Sequence, residues 1–128
     1  MPDYLDTSAF IKLVLSEEES APLRRELVGR ELFSSTLLIV EGRRAARRYG
    51  GLALARARAA LTAVTLLPID DRVLDASCEL EPIELRSLDA LHLATACSIG
   101  KELGVLYSYD SRLSSAARAH GVKVSQPR

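Results

Sequence analysis

Short apolar runs alternate along the chain with longer stretches in which apolar residues recur every three or four positions. This is the pattern of short buried strands interleaved with amphipathic helices, as a mostly parallel α/β sheet requires. The runs predict strands at 4–5, 32–34, 66–69, 105–107 and 122–124. The periodic stretches predict helices at 8–15, 21–28, 35–49, 52–64, 72–80, 87–103 and 111–120, several followed directly by glycine, the residue that best tolerates the backbone just past a helix end. Between the helices at 72–80 and 87–103, Glu81-Pro82-Ile83-Glu84 is the one sizeable loop expected in the second half. No repeat, low-complexity tract or linker interrupts the pattern, so one domain over 1–128 is expected.

The stretch 8–15 departs from amphipathicity. Ala9, Phe10, Ile11, Leu13, Val14 and Leu15 surround a single Lys12. A helix apolar nearly all round is either central to a core or covered by a partner. Total burial of so short an N-terminal helix is hard to arrange in a small chain, so Phe10, Leu13 and Val14 are expected to form an obligate interface.

Composition sharpens this picture. With 128 residues, 48% apolar and 27% charged, the chain fits one globular domain. Seventeen basic and seventeen acidic residues cancel, which excludes a dominant whole-protein field for nucleic acid or an acidic membrane. The neutral total hides segregation: residues 1–41 carry net −4, residues 42–69 carry +6 with no acid, and residues 70–128 carry −2. Cys78 and Cys97 have neither CxxC spacing nor a histidine partner and read as buried small hydrophobes in a reducing compartment, not as zinc ligands. Without a basic n-region, an apolar h-region or an apolar run of membrane-spanning length, a cytoplasmic protein is expected.

Four acids stand where chemistry could use them. Asp6 and Asp110 each follow a predicted strand and precede a helix. Either alone is accounted for as an N-cap, but together they emerge at strand ends, where open parallel sheets gather their active groups. Asp70 and Asp71 also follow a strand and read as the cap of the next helix. Glu41 lies on the apolar edge of its helix beside Leu37, Leu38 and Ala45, with Arg44 and Arg48 at i+3 and i+7. Asp89 sits in the first turn of its helix among apolar and small residues. An ion pair with Arg44 and compensation of the helix dipole would explain Glu41 and Asp89 respectively, yet not why carboxylates are spent so near apolar faces. Were the four to converge, repulsion would raise several of their pKa values unless a cation neutralised them. An all-oxygen set suits Mg2+ or Mn2+, one ion or two, which activate water and stabilise the leaving oxygen at a phosphodiester. Ser8 and Ser108 would then orient these ligands from behind, although local capping is an equally common task for serine.

At this point the residues resemble a known family, the PIN-domain ribonucleases, and within it the VapC toxins of type II toxin–antitoxin modules. Tyr4-Leu5-Asp6-Thr7-Ser8-Ala9-Phe10-Ile11-Lys12-Leu13 resembles the first motif of the family, Glu41 in an apolar helix the second, the segment around Ser87-Leu88-Asp89-Ala90-Leu91-His92 the third, and Ser108-Tyr109-Asp110 the last. Matched motifs run from residue 4 to residue 112. The family often has threonine where this chain has Ser108, which keeps the hydroxyl. The resemblance implies an α/β/α sandwich around a parallel sheet, with Asp6, Glu41, Asp89 and Asp110 as an acidic pocket for Mg2+ or Mn2+. It further implies cleavage of structured RNA, a homodimer, and silencing by a cognate VapB antitoxin that wraps the toxin and can send a basic side chain into the pocket.

The basic segment is divided in this reading. Arg44 and Arg48 share the flank of Glu41 and are expected to meet RNA phosphates at the pocket rim. Arg43 and Arg47 point to the opposite side of the helix, and Arg56 and Arg58 read as a solvated face. His92 reads as a packed helix histidine without a general-base role, His120 as a helix-end residue, and Tyr107 and Tyr109 as core aromatics. Two rivals stay open. One is a catalytically silent PIN-like module that binds RNA or protein. The other is a phosphoacceptor receiver domain, which would want paired acids at the first strand and a lysine after a late strand; Asp3 and Asp6 are not adjacent, and Lys101 and Lys123 stand in the wrong context.

Overall fold

The computed structural model describes residues 1–128. In chain order the elements are β1 (Pro2–Leu5), α1 (Thr7–Val14), α2 (Ser20–Leu27), β2 (Glu31–Ser35), α3 (Leu37–Arg47), α4 (Gly51–Leu61), β3 (Thr65–Leu67), α5 (Asp71–Glu79), α6 (Ser87–Ser98), β4 (Leu106–Tyr107), α7 (Ser111–Ala119) and β5 (Val124–Ser125). The five strands form one sheet in the order β3-β2-β1-β4-β5, and every neighbouring pair is parallel. Successive side chains on β1 face opposite sides. Tyr4 packs with Leu93, Leu106, Leu113 and Ala117 beneath α6 and α7, while Leu5 packs with Ala9, Leu23, Leu27 and Tyr107 beneath α1 and α2. Helices therefore cover both faces, giving the three-layer α/β/α sandwich with a parallel central sheet.

The strand order positions the site. From β1 the chain builds outward through β2 to β3, then returns to place β4 on the other side of β1. The winding thus reverses at β1, and Leu5 lies in register with Tyr107 on β4. A parallel sheet opens a crevice beyond the carboxyl ends of its strands at such a reversal. The residues leaving β1 and β4 are Asp6 and Ser108.

The expectation for α1 is overturned. Phe10 and Val14 are at most 1% exposed within the single chain, and Leu13 is partly buried against the cluster around Leu5. Phe10 and Val14 present no surface to a partner, because α2, α3 and α4 close around α1, whereas Leu13 keeps part of its surface. Small residues on the covering helices allow this: Phe10 and Val14 pack with Leu38, Ala46, Ala53 and Ala57. At Gly42 a Cβ would lie 2.8 Å from Cε2 of Phe10, so glycine is what lets α3 approach the ring. The sequence signal for this burial is the alanine-rich α4 together with Gly42 and Ala46 of α3.

Cys78 and Cys97 also depart from expectation: both are exposed free thiols on α5 and α6. Most of α6 is buried between β2, α5 and α7, which makes its sequence apolar nearly all round, but Cys97 falls at its emerging end. The helix also stops earlier than its pattern suggests. At Gly100 the backbone takes φ +77°, which breaks the α-helix and leaves a single 3-10 turn at Gly100–Glu102. Strand edges shift by one or two residues, as at β3 and β5, whereas Asp70 caps α5 as expected, accepting the Val73 N–H at 2.9 Å. Asp3 is a fully buried carboxyl satisfied on both oxygens: Oδ1 accepts the Val105 N–H at 2.8 Å and Oδ2 meets Arg30 at 3.2 Å. No helix is long and apolar enough to cross a membrane.

Candidate active site

Asp6, leaving β1, is the N-cap of α1 and only 3% exposed. Its Oδ1 accepts the Ala9 N–H at 2.9 Å and the Ser8 hydroxyl at 2.7 Å, and its Oδ2 accepts the Ser108 hydroxyl at 2.5 Å. Ser8 also ties the turn after β1 to the turn after β4, its Oγ accepting the Tyr109 N–H at 2.8 Å, and Ser108 Oγ accepts the Asp110 N–H within its own turn at 3.1 Å. Capping and site-building are therefore performed by the same atoms. Burial pushes the Asp6 carboxyl up, against the hydrogen bonds from Ser108, Ser8 and Ala9.

Asp110 caps α7 in the same way. Its Oδ1 accepts the N–H groups of Arg112 and Leu113 at 2.9 and 3.0 Å, leaving Oδ2 free of backbone partners. Asp89 approaches from the first turn of α6. Its carboxyl is held above the ordinary range by partial burial and then by the neighbouring Asp110, against the pull of Arg86. The Arg86 guanidinium lies between the two acids, with Nε 3.3 Å from Oδ2 of Asp89 and Nη2 3.4 Å from Oδ2 of Asp110.

Glu41 enters from α3. Its Oε1 accepts the Thr7 hydroxyl at 2.7 Å and faces Nε2 of His92 at 2.7 Å. Burial raises this carboxyl, but the hydrogen bonds from His92 and Thr7 outweigh that and leave it below its ordinary range. His92 is 2% exposed, and its Nδ1 lies 2.8 Å from the Tyr4 hydroxyl. A carboxylate beside Nε2 requires a proton there, so the hydrogen-bond pattern assigns Nδ1 as the acceptor of the Tyr4 O–H. Burial keeps the Tyr4 hydroxyl protonated far into alkali, consistent with that role.

Two residues of this constellation were not legible as such. His92 is a buried histidine, as expected, but it also buttresses Glu41; the signal lay in its place on the same helix as Asp89, one turn on. Arg86 precedes Asp89 by three residues, a spacing that lets the side chains meet. By contrast, Arg44 and Arg48 form no ion pair with Glu41, and both are exposed. Arg44 lines a shallow groove of about 470 Å3 between α3 and α4 with Arg43, Arg47 and Arg58, over a floor of Ile39, Val40 and Leu54. The division of the arginines into opposite sides is therefore corrected: Arg43, Arg44 and Arg47 border one groove.

Asp6 is joined through the Ser108 hydroxyl to the backbone of Asp110, and Asp110 through Arg86 to Asp89, while Glu41 is held in a separate set by Thr7 and His92. In this arrangement no three acidic, histidine or cysteine groups make a ready ion cage. The donor set nevertheless suits a hard cation. The ligand atoms are carboxylate oxygens, Asp6 is held above its usual range by burial and Asp89 by burial and the charge of Asp110, and the exposed guanidinium of Arg86 lies between Asp89 and Asp110.

Comparison with known proteins identifies the family. The PIN domain family matches residues 4–119. Ribonuclease VapC46 of Mycobacterium tuberculosis is 46% identical over 125 residues, covering 97% of this chain and 96% of its own. Ribonuclease VapC47 of the same species is 40% identical over 130 residues, with the same shares covered. Among solved structures, VapBC2 of Rickettsia felis, bound to a DNA fragment from its promoter, superposes with a TM-score of 0.77 at 10% identity, covering 100% of both chains, a likeness of fold. The reversal-point acids, the fold and the extent of these matches lead to one conclusion: the chain belongs to the PIN-domain family, and within it to the VapC ribonucleases.

Proposed function

We propose that this chain is an endoribonuclease toxin of a type II toxin–antitoxin pair that hydrolyses phosphodiester bonds in structured RNA. In this reading Asp6, Glu41, Asp89 and Asp110 hold one or two Mg2+ or Mn2+ ions. The observation that carries it is the joining of Asp6 to the Ser108–Asp110 turn at the point where the sheet reverses its winding. A hard divalent ion supplies Lewis acidity for attack on the phosphodiester. The chain's own residues do the rest. Ser8 and Ser108 fix the Asp6 oxygens, Thr7 and His92 fix Glu41, and the backbone of α7 fixes one oxygen of Asp110. With these rotamers locked, little reorganisation is needed when charge develops on the substrate. Arg44, with Arg43 and Arg47 in the α3–α4 groove, and the exposed Arg48 outside it contribute guanidinium groups for RNA phosphates.

The partner in this reading is a VapB-type antitoxin. It rests on the relatives' naming and on the R. felis VapBC2 structure that shares the fold. Phe10 and Val14 are taken by the core, so the antitoxin or a second copy of the chain meets other apolar surface; Val40, Tyr49 and Leu52, on and between α3 and α4, are each more than half exposed. The proposed setting is the cytoplasm. Mapping cleaved ends in total RNA after brief expression tests the reading, with Asp6→Asn and chelator controls. Discrete new ends that vanish with either control are expected. Intact RNA with wild-type protein and added Mg2+ or Mn2+ would favour a silent binding module, a reading that the Arg86 bridge between Asp89 and Asp110 also suits.

A further inference from the structure

We propose that Arg86 is an exchangeable cation of the acidic pocket, holding Asp89 and Asp110 together when no ion is bound, yielding those oxygens to the ion, and then binding a phosphate of the RNA. The inference rests on the metal-dependent reading above. Its basis is which oxygens the guanidinium uses. Oδ1 of Asp110 is committed to two backbone N–H groups, so Oδ2 is the oxygen left for a cation, and that is the atom Arg86 Nη2 meets at 3.4 Å. On Asp89, Nε likewise meets Oδ2, at 3.3 Å. Guanidinium and metal ion are thus alternative partners of the same atoms, and binding of one opposes the other.

The bridge is built to yield. Both contacts are long for charge-assisted hydrogen bonds, and the Arg86 side chain is 64% exposed against 14% and 26% for its acids, so solvent screens the pair. Arg86 itself precedes α6 in extended conformation, at the end of the loop after α5, and no other contact restrains its head group. A guanidinium displaced from the two acids remains tethered beside them, where an incoming phosphate offers it two oxygens in fork geometry. No other arginine or lysine contacts any of the four acids. Arg86 would therefore contact substrate at the pocket itself, whereas Arg44 lies along a separate groove.

The test compares Mn2+ affinity of the full-length, RNA-free protein with affinity for an uncleavable RNA oligonucleotide, in wild type, Arg86→Gln and Arg86→Lys. Mn2+ binding is read by calorimetry or by the paramagnetic signal of free ion. Arg86→Gln should bind Mn2+ about three- to tenfold more tightly, yet bind RNA several-fold more weakly. Arg86→Lys, which keeps charge but loses the fork, should fall between on both scales. Opposite signs separate exchange from loss of fold, which weakens both. In an Asp89→Asn background the Mn2+ gain from Arg86→Gln should shrink. Unchanged or weaker Mn2+ binding by both Arg86 variants would overturn the exchange, and unchanged RNA affinity would overturn the phosphate contact. Absence of Mn2+ binding by wild type and variants alike would bring down the metal reading itself, and this inference with it.

Discussion

Nε2 of His92 lies 2.7 Å from Oε1 of Glu41, a residue 51 positions earlier on another helix, and the opposite ring nitrogen lies 2.8 Å from the hydroxyl of Tyr4. A buried imidazole thereby connects the central strand to the carboxylate that α3 contributes. His92→Leu removes both hydrogen bonds and leaves the Tyr4 hydroxyl without its partner. The two losses together cost about 2–6 kcal/mol, so thermal melting should fall by roughly 8–24 °C. RNA cleavage should fall further than folding accounts for, because Glu41 loses its orientation. His92→Gln, whose amide can still donate to Glu41, should recover part of both. Equal cleavage by His92→Leu and wild type at a temperature where both are folded would remove His92 from the site.

Asp6 makes an opposite demand on stability. Burial raises its folded pKa above the unfolded value, so its ionisation opposes folding. Its contribution is favourable below the unfolded pKa and is lost as pH rises through the folded one. Glu41, depressed, works in reverse: it stabilises above the unfolded pKa, and that contribution disappears as pH falls through the folded value. At neutral pH without divalent ions, Asp6→Asn should therefore melt higher than wild type, by about 2–6 °C, while abolishing cleavage. The advantage should vanish near pH 3, where the wild-type carboxyl is neutral, and Mn2+ should raise the melting point of wild type only. Calorimetric melts across pH check all three.

The burial of Phe10 makes a prediction that an interface role would not. Phe10→Ala should cost about 3–5 kcal/mol and unfold much of the protein, instead of releasing a folded monomer. Gly42→Ala sets a methyl group against the same ring and should destabilise by about 1–3 kcal/mol. Pairing it with Phe10→Leu should recover part of that loss, as expected for a shared contact. Chemical denaturation with sizing measurements distinguishes these outcomes.

Arg44 and Arg48 are exposed and free of acidic partners, so their replacement should leave folding intact. If they contact RNA phosphates, Arg44→Ala/Arg48→Ala should flatten the salt dependence of RNA binding by about 0.7 per lost contact. An unchanged slope in filter-binding titrations at several salt concentrations would assign RNA to another face.

What the sequence carried depended on the range of the interaction. The parallel alternation, the capping roles of Asp6, Asp70 and Asp110, and the placement of Asp89 in a first turn are local and were legible. The burial of α1 was not, because it depends on α3 and α4 folding back, and small residues such as Gly42 and Ala46 reveal nothing of what they cover. Arg44 stood at the spacing of an ion pair with Glu41, but Glu41 turns toward Thr7 and His92, a choice made by tertiary packing. Likewise the bridge from Arg86 to Asp110 spans 24 residues, and only the sheet order brings its two ends together.

The claim on which the rest depends is that the carboxylates at the sheet reversal share a divalent ion. Anomalous diffraction from Mn2+-soaked crystals measures this directly. The account predicts a strong peak within coordination distance of Asp6 and Asp89, bordered by Glu41 and Asp110, with Arg86 moved off its acids. Absence of a peak there at saturating Mn2+, in protein that cleaves RNA with undiminished rate in excess chelator, would contradict it.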